Sequence, residues 1–198
     1  MSGDAVVAAP PPPRARRSAG DRRAQLVAIG LELLPGTPVQ ELTIDEVARR
    51  AGISRSLLFH YFATKRDYYT AVTRAAADVL LEHLSPRPGL PADEQATGML
   101  ERYVGWVETY RDAHLSFVRG AAAGDPWVAE IYEQTREQLV DLSLTALGLP
   151  DDPRRRQLLR AWFAFTEELV DQWVREPTME RTELVDLLRA FLDRLTEP

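Results

Sequence analysis

The sequence predicts an all-α protein of about nine helices, a three-helix N-terminal unit followed by a larger helical body. Apolar residues recur at i, i+3, i+4 and i+7 along nearly the whole chain beyond residue 20. Cap residues and Pro/Gly breakers divide that pattern into segments of helical length, and no stretch keeps the alternation of a strand.

Residues 1–20 hold a Pro10–Pro13 run with Arg14, Arg16 and Arg17 and almost no large apolar groups. Such a segment buries too little surface to offset its ordering entropy and is expected to be disordered. From residue 21, Leu26, Ile29, Gly30 and Leu33 make one helical face, and Pro35-Gly36 stops it. Thr43 and Glu46 read as a capping box ahead of Ile44, Val47, Ala48 and Ala51. Thr64 starts a long helix through Tyr68, Tyr69, Val72, Ala76, Val79 and Leu80, which ends near Pro86, Pro88 and Pro91. Helices are expected at roughly 92–110, 112–122 and 126–147, the last opened by Asp125-Pro126, a cap followed by proline at the first helical position. Asp152-Pro153 repeats that signal for a helix reaching about Arg175; Pro177-Thr178 breaks it, and a final helix covers roughly 180–196. The division follows as a tail at 1–20, a head at 21–66 and a body at 67–198.

Two short helices at 43–50 and 54–62, joined by Ala51-Gly52-Ile53, have the helix-turn-helix pattern. Gly52 permits the turn, Ile53 plugs the gap between the helices and Ser54 caps the second. With Ile53, Leu58 and Phe62 toward the core, Arg55, Ser56, Phe59 and His60 point outward together, as a helix entering a major groove requires. The run LTIDEVARRAGISRSLLFHYFATKRDYYTAV at 42–72 resembles the DNA-binding signature of the TetR family, in register at Thr43, Ala51, Gly52, Ile53, Ser54, Leu58, Phe59, Phe62 and Lys65. Where that family commonly has Gly and Thr, this chain has Ser56 and Leu57, and Asp45 stands where relatives that use the first helix are often basic.

The resemblance implies a DNA-binding transcription regulator, a homodimer on a palindromic double-stranded operator, repression being the usual mode. By position it makes Thr43, Phe59, Tyr61 and Lys65 phosphate contacts. Arg55, Ser56, Leu57 and His60 then read bases or adjoining backbone, with Ser54 at the cap of the same surface. The chemistry agrees: Arg forks onto guanine, and an apolar tip such as Leu57 meets a thymine methyl. Taken singly, Phe59 and Tyr61 are also ordinary core aromatics, His60 a solvated histidine and Lys65 a helix-start charge; the joint pattern over about 30 residues favours DNA. Arg14, Arg16 and Arg17 read either as a minor-groove arm or as a solvated tail.

In the body the resemblance implies a pocket for an unknown small apolar or aromatic effector. Tyr103, Trp106, Tyr110, His114, Phe117, Trp127, Thr135 and Trp162 are its candidate walls, with Glu101, Glu108 and Arg119 as further polar candidates; aromatics at helical spacing also simply fill cores. In the last two helices Trp162, Phe165, Leu169, Trp173, Leu184, Leu188, Phe191 and Leu195 form stripes wide enough for a four-helix dimer seam, or for the core of a monomer.

Charge is divided. Residues 1–75 carry 11 Arg and Lys against 7 Asp and Glu, net +4; residues 76–198 carry 13 against 23, net −10. A basic head on an acidic body suits a protein that meets phosphate at one end. The absence of cysteine excludes disulfides, thiolate metal sites and cysteine nucleophiles. His60, His83 and His114 lie far apart and no HExxH, GxSxG or P-loop occurs, so no enzyme, cofactor or metal is expected. Charges interrupt every apolar stretch before membrane-spanning length and no signal peptide is evident, so a cytoplasmic location is expected. The competing reading is a DNA-binding or protein-interaction regulator without an effector.

Overall fold

The computed structural model describes residues 19–196. The expected N-terminal tail, with Arg14, Arg16 and Arg17, lies outside them, except that Ala19 and Gly20 already belong to the first helix. Among the described residues there are nine α-helices and no strand: α1 Ala19–Leu33, α2 Ile44–Ala51, α3 Arg55–Tyr61, α4 Lys65–Leu84, α5 Ala92–Thr109, α6 Arg111–Ala122, α7 Pro126–Leu147, α8 Pro153–Arg175 and α9 Arg181–Thr196. One-turn 3-10 helices at Leu34–Gly36 and Val39–Glu41 join α1 to α2.

Local chemistry accounts for most boundaries. The Ser54 hydroxyl accepts from Leu57 N–H at 3.2 Å, and Asp152 accepts from Arg155 N–H at 3.0 Å. At α4 the box is complete: Thr64 accepts from Asp67 N–H at 3.0 Å and the Asp67 carboxylate accepts from Thr64 N–H at 2.8 Å. Two expected caps differ. Thr43 accepts from Glu46 N–H, but Glu46 does not return the bond, because Arg49 and Arg50 bind its carboxylate instead. Asp125 precedes α7 without a side-chain cap bond. Gly52 ends α2 at φ 64°, the left-handed conformation that favours glycine.

Two hydrophobic cores result. The first gathers Leu26, Ile29, Val47, Leu58, Phe62, Tyr68 and Val72 from α1 through α4. The second gathers Leu80, Leu84, Leu100, Val104, Val140, Leu159, Trp162, Val170, Leu184 and Leu188 from α4, α5, α7, α8 and α9. α4 therefore serves both, its first turns in the head and its last in the body. The expected division after residue 66 falls inside this continuous helix, and head packing runs on to Val72.

Close approach of α1 to α4 explains Gly30. A Cβ there would stand 2.5 Å from Val72 Cγ2 and 2.7 Å from the Tyr68 hydroxyl oxygen. That hydroxyl donates to the Leu26 carbonyl at 3.0 Å, so Tyr68 has little freedom to retreat. Alanine would gain about 1 kcal/mol in helix propensity, but the overpacking should cost about 1–3 kcal/mol and win where the backbones cannot separate. Gly30→Ala should lower the urea midpoint, and Gly30→Ala with Val72→Ala should recover part of the loss relative to the sum of the two single changes. Strict additivity would show that the contact is not tight.

Candidate DNA-reading surface and effector cavity

α3 is held against the head by Leu58 and Phe62, which are 0% and 2% exposed. Arg23 of α1 lies over the Phe62 ring at 4.7 Å and closes that side. With the buried face fixed, Arg55, Ser56, Leu57 and His60 are exposed, together with Ser54 at the cap. Leu57 keeps 39% of its surface in water. Ser54 and Ser56 hydroxyls pair at 3.0 Å. Phe59 and Tyr61 are half-buried and pack partly on the head core, so both are shared between core and surface.

Arg55 is the most constrained of the exposed groups. Its guanidinium donates to Asp45 Oδ2 at 3.1 Å and lies over the Phe59 ring at 5.6 Å. Both Arg55 and Asp45 are largely exposed, so the pair adds little stability; it turns the guanidinium toward the first turn of α2.

Lys65 is linked through Tyr69 to the backbone that leads into Thr43. The Lys65 ammonium lies 4.9 Å from the Tyr69 ring, and the Tyr69 hydroxyl donates to the carbonyls of Leu42 and Gln40, immediately before Thr43. Lys65 is also the first residue of α4, where backbone N–H groups favour an anion. The Thr43 oxygen accepts from Glu46 N–H, which leaves its own proton to donate. The arrangement offers cationic and hydroxyl donors beside an outward helix face, the equipment for phosphate and base-edge contact.

Among the described residues two separate apolar cavities stand out, the larger one between head and body. One, of about 120 Å³, is walled by Trp106, Tyr110, His114, Phe117, Trp127 and Thr135 with residues of α1, α4 and the Val39–Gln40 turn. The other, of about 40 Å³, is walled by Tyr103 and Trp162 with Leu100, Leu139, Thr166 and Glu167. The eight wall candidates therefore split six and two. A hydrogen bond at 3.3 Å joins the Tyr103 hydroxyl of the smaller cavity to His114 Nε2 of the larger. Gln40 and Thr73 also line the larger cavity, and nothing in their local sequence marks them. Glu101, Glu108 and Arg119 are corrected: they face solvent, and Glu108 is engaged by Arg181 at 3.7 Å.

Residues 27–72 match the family of bacterial regulatory proteins, tetR family, and residues 92–194 match the tetracyclin repressor-like C-terminal domain. The chain belongs to the TetR family. It is 25% identical over 173 residues to the HTH-type transcriptional regulator BetI of Klebsiella pneumoniae (strain 342), across 86% of this chain and 83% of BetI. It is 30% identical over 129 residues to the HTH-type transcriptional regulator EthR of Mycobacterium tuberculosis (strain ATCC 25618 / H37Rv), across 61% of this chain and 58% of EthR. A solved tetR-family transcriptional regulator from Streptomyces coelicolor shares the fold with a TM-score of 0.77 and 25% identity, covering 92% of each chain. As a TetR-family member the protein is a DNA-binding transcription regulator, and these homologues are regulators rather than enzymes. Among the described residues no helix is long and apolar enough to cross a membrane.

The expected seam needs correction. Trp162, Trp173, Leu184 and Leu188 are buried within the chain itself, at 6%, 8%, 0% and 0% exposure. The reason is intrachain pairing of α8 and α9: the Trp162 indole donates to the Leu188 carbonyl at 3.3 Å and the Trp173 indole to the Met179 carbonyl at 2.8 Å. Phe165 and Phe191 remain partly exposed, at 38% and 45%, with their tilted rings 4.9 Å apart, while Leu187 is exposed and Leu169 and Leu195 are half-buried.

Burial pushes the His114 pKa from 6.5 down to about 4, partly opposed by the Asp171 carboxylate. Between those values the unfolded chain binds a proton that the folded chain refuses, so stability falls as pH drops through this window and is indifferent to the group above it. Urea midpoints should therefore decline between about pH 7 and about pH 5 more steeply in wild type than in His114→Gln. Parallel declines in the two proteins would show that His114 is protonated without penalty.

Proposed function

We propose that this TetR-family regulator is a repressor that binds a palindromic operator as a homodimer and leaves it when a small apolar or aromatic effector enters the larger cavity. One observation carries the reading: the cavity is walled by head and body together. Leu31, Leu34, Val39 and Gln40 face it from the head side, and Trp106, His114, Phe117, Trp127 and Thr135 from the body. A ligand there touches the segment that ends at Thr43 and the helix that begins at Lys65. Gln40 extends the link, its side chain accepting from the Ser116 hydroxyl of α6 at 2.7 Å while its backbone carbonyl receives the Tyr69 hydroxyl. An effector needs only to prefer an arrangement of these elements that misplaces the heads.

DNA contact is assigned to Thr43, Ser54, Arg55, Ser56, Leu57, Phe59, His60, Tyr61 and Lys65, supported by the exposure of α3 and the packing of Lys65 on Tyr69. Lys65→Ala should weaken binding similarly on all sequences and flatten the log K against log salt slope by about one unit. Arg55→Ala should instead relax preference at one position per half-site, costing about 1–3 kcal/mol there. Both are read by titrating purified protein on an operator selected from genomic fragments. An unchanged salt slope for Lys65→Ala would remove the phosphate assignment.

Dimerisation is assigned to the Phe165, Phe191, Leu187 and Leu169 face of α8 and α9. A two-fold pair holds two recognition helices at one DNA turn, ~34–36 Å. Because Phe165 and Phe191 are exposed in the single chain, Phe165→Glu with Phe191→Glu should leave helicity intact yet give a monomer by sedimentation at micromolar concentration. A dimer persisting in that variant would move the seam elsewhere.

A further inference from the structure

We infer that the effector is an uncharged aromatic compound of about one ring carrying a single hydrogen-bonding group, bound beside Trp106, Phe117 and Trp127 with the Thr73 hydroxyl as its polar contact. The inference rests on the larger cavity being the effector site and assigns it a chemical class.

Size sets the first limit. An apolar void of roughly 150 Å³ takes a benzene ring, and this cavity is about 120 Å³. A substituted single ring fits with small side-chain movements, whereas a long acyl chain does not.

Charge sets the second. No Asp, Glu, Lys or Arg lines the cavity, and its histidine is held neutral by burial. An anion would find no cation, and either sign of charge would lose its hydration without compensation. Aromatic boxes do bind quaternary ammonium groups through ring faces. Here Trp106 and Tyr110 stack on each other at 4.2 Å with their planes 33° apart, so those faces meet each other rather than walling an open box.

Polarity sets the third. Thr135 lines the cavity with its hydroxyl already donating to the Ile131 carbonyl at 2.8 Å. His114 is joined to Tyr103, and Gln40 Oε1 accepts from Ser116. Thr73 differs: the residue is 8% exposed, lines the same cavity, and its hydroxyl oxygen has no hydrogen-bond partner. That oxygen is itself shielded from the cavity surface, so a phenol or carbonyl on the ligand meets it through a rotation of the Thr73 side chain, which removes the standing cost of a buried hydroxyl left alone.

The test uses three single-ring probes of similar size, p-cresol, p-toluate and 4-methylbenzylammonium, titrated into the full-length protein by calorimetry and tryptophan fluorescence. p-Cresol should bind saturably, perturb Trp106 and Trp127 emission, and bind about fivefold more weakly to Thr73→Val, one hydrogen bond's worth. Thr73→Ser should restore binding, and Thr166→Val, the same change in the smaller cavity, should leave it unaltered. Equal or tighter binding of either charged probe, binding indifferent to Thr73→Val, or no saturable binding by any of the three would overturn the inference. Operator affinity measured alongside separates the two readings. p-Cresol that binds as described without weakening the operator complex leaves the chemical class standing and defeats effector release; p-toluate that binds and releases operator does the reverse.

Discussion

Tyr68 and Tyr69, adjacent in the first turn of α4, are what the rest of the molecule depends on. Tyr68 is fully buried and its hydroxyl reaches the Leu26 carbonyl of α1, an approach that only a glycine at position 30 permits. Tyr69 reaches the other way, to the carbonyls of Leu42 and Gln40 in the segment before α2. Each phenol fills apolar space and satisfies its polar end on backbone, the combination that makes buried tyrosine both stabilising and orienting. Together they fasten α4 to two parts of the head that are distant in sequence. Since α4 then runs unbroken into the body core, it sets the orientation of the head together with the contact of α6 at Gln40.

Electrostatics reinforces this division of labour. The acidic body, net −10 over residues 76–198, is repelled by a duplex, which leaves the basic end to make contact. Within α2 both acids are occupied. Glu46 is clasped by Arg49 and Arg50, which hold its carboxyl down to about 2, and Asp45 is turned toward Arg55. Negative charge in α2 therefore arranges cations as well as offsetting them.

What could be read from sequence depended on the range of the interaction. Ser54, Thr64 and Asp152 announce helix starts because a cap bond closes within three residues, and the inward positions of Leu58 and Phe62 follow from periodicity alone. Asp125 shows the same cap-plus-proline signal as Asp152 yet makes no cap bond. The surface of α3 was legible because its chemistry occupies one short run. The cavity was legible only in its aromatic walls: Gln40 and Thr73 join it across three-dimensional space, and neither is unusual among its sequence neighbours. For α8 and α9 the stripes of Trp162, Trp173, Leu184 and Leu188 were correctly apolar but ambiguous, because a hydrophobic period states that a face is covered and not by what. Intrachain pairing took most of that surface, leaving a flank around Phe165 and Phe191.

The continuity of α4 has a mechanical consequence. Thr73, in the cavity wall, and Lys65, at the N-terminal end of the helix, are eight residues apart, roughly 12 Å along the axis at 1.5 Å per residue. With no proline or π-bulge between them the segment behaves as a stiff rod. A tilt of about 5° about the cavity end would then swing Lys65 by roughly 1 Å, a third of a hydrogen-bond length. Were two copies related by a two-fold axis, swings directed along the line between the heads would add, changing their separation by up to roughly 2 Å.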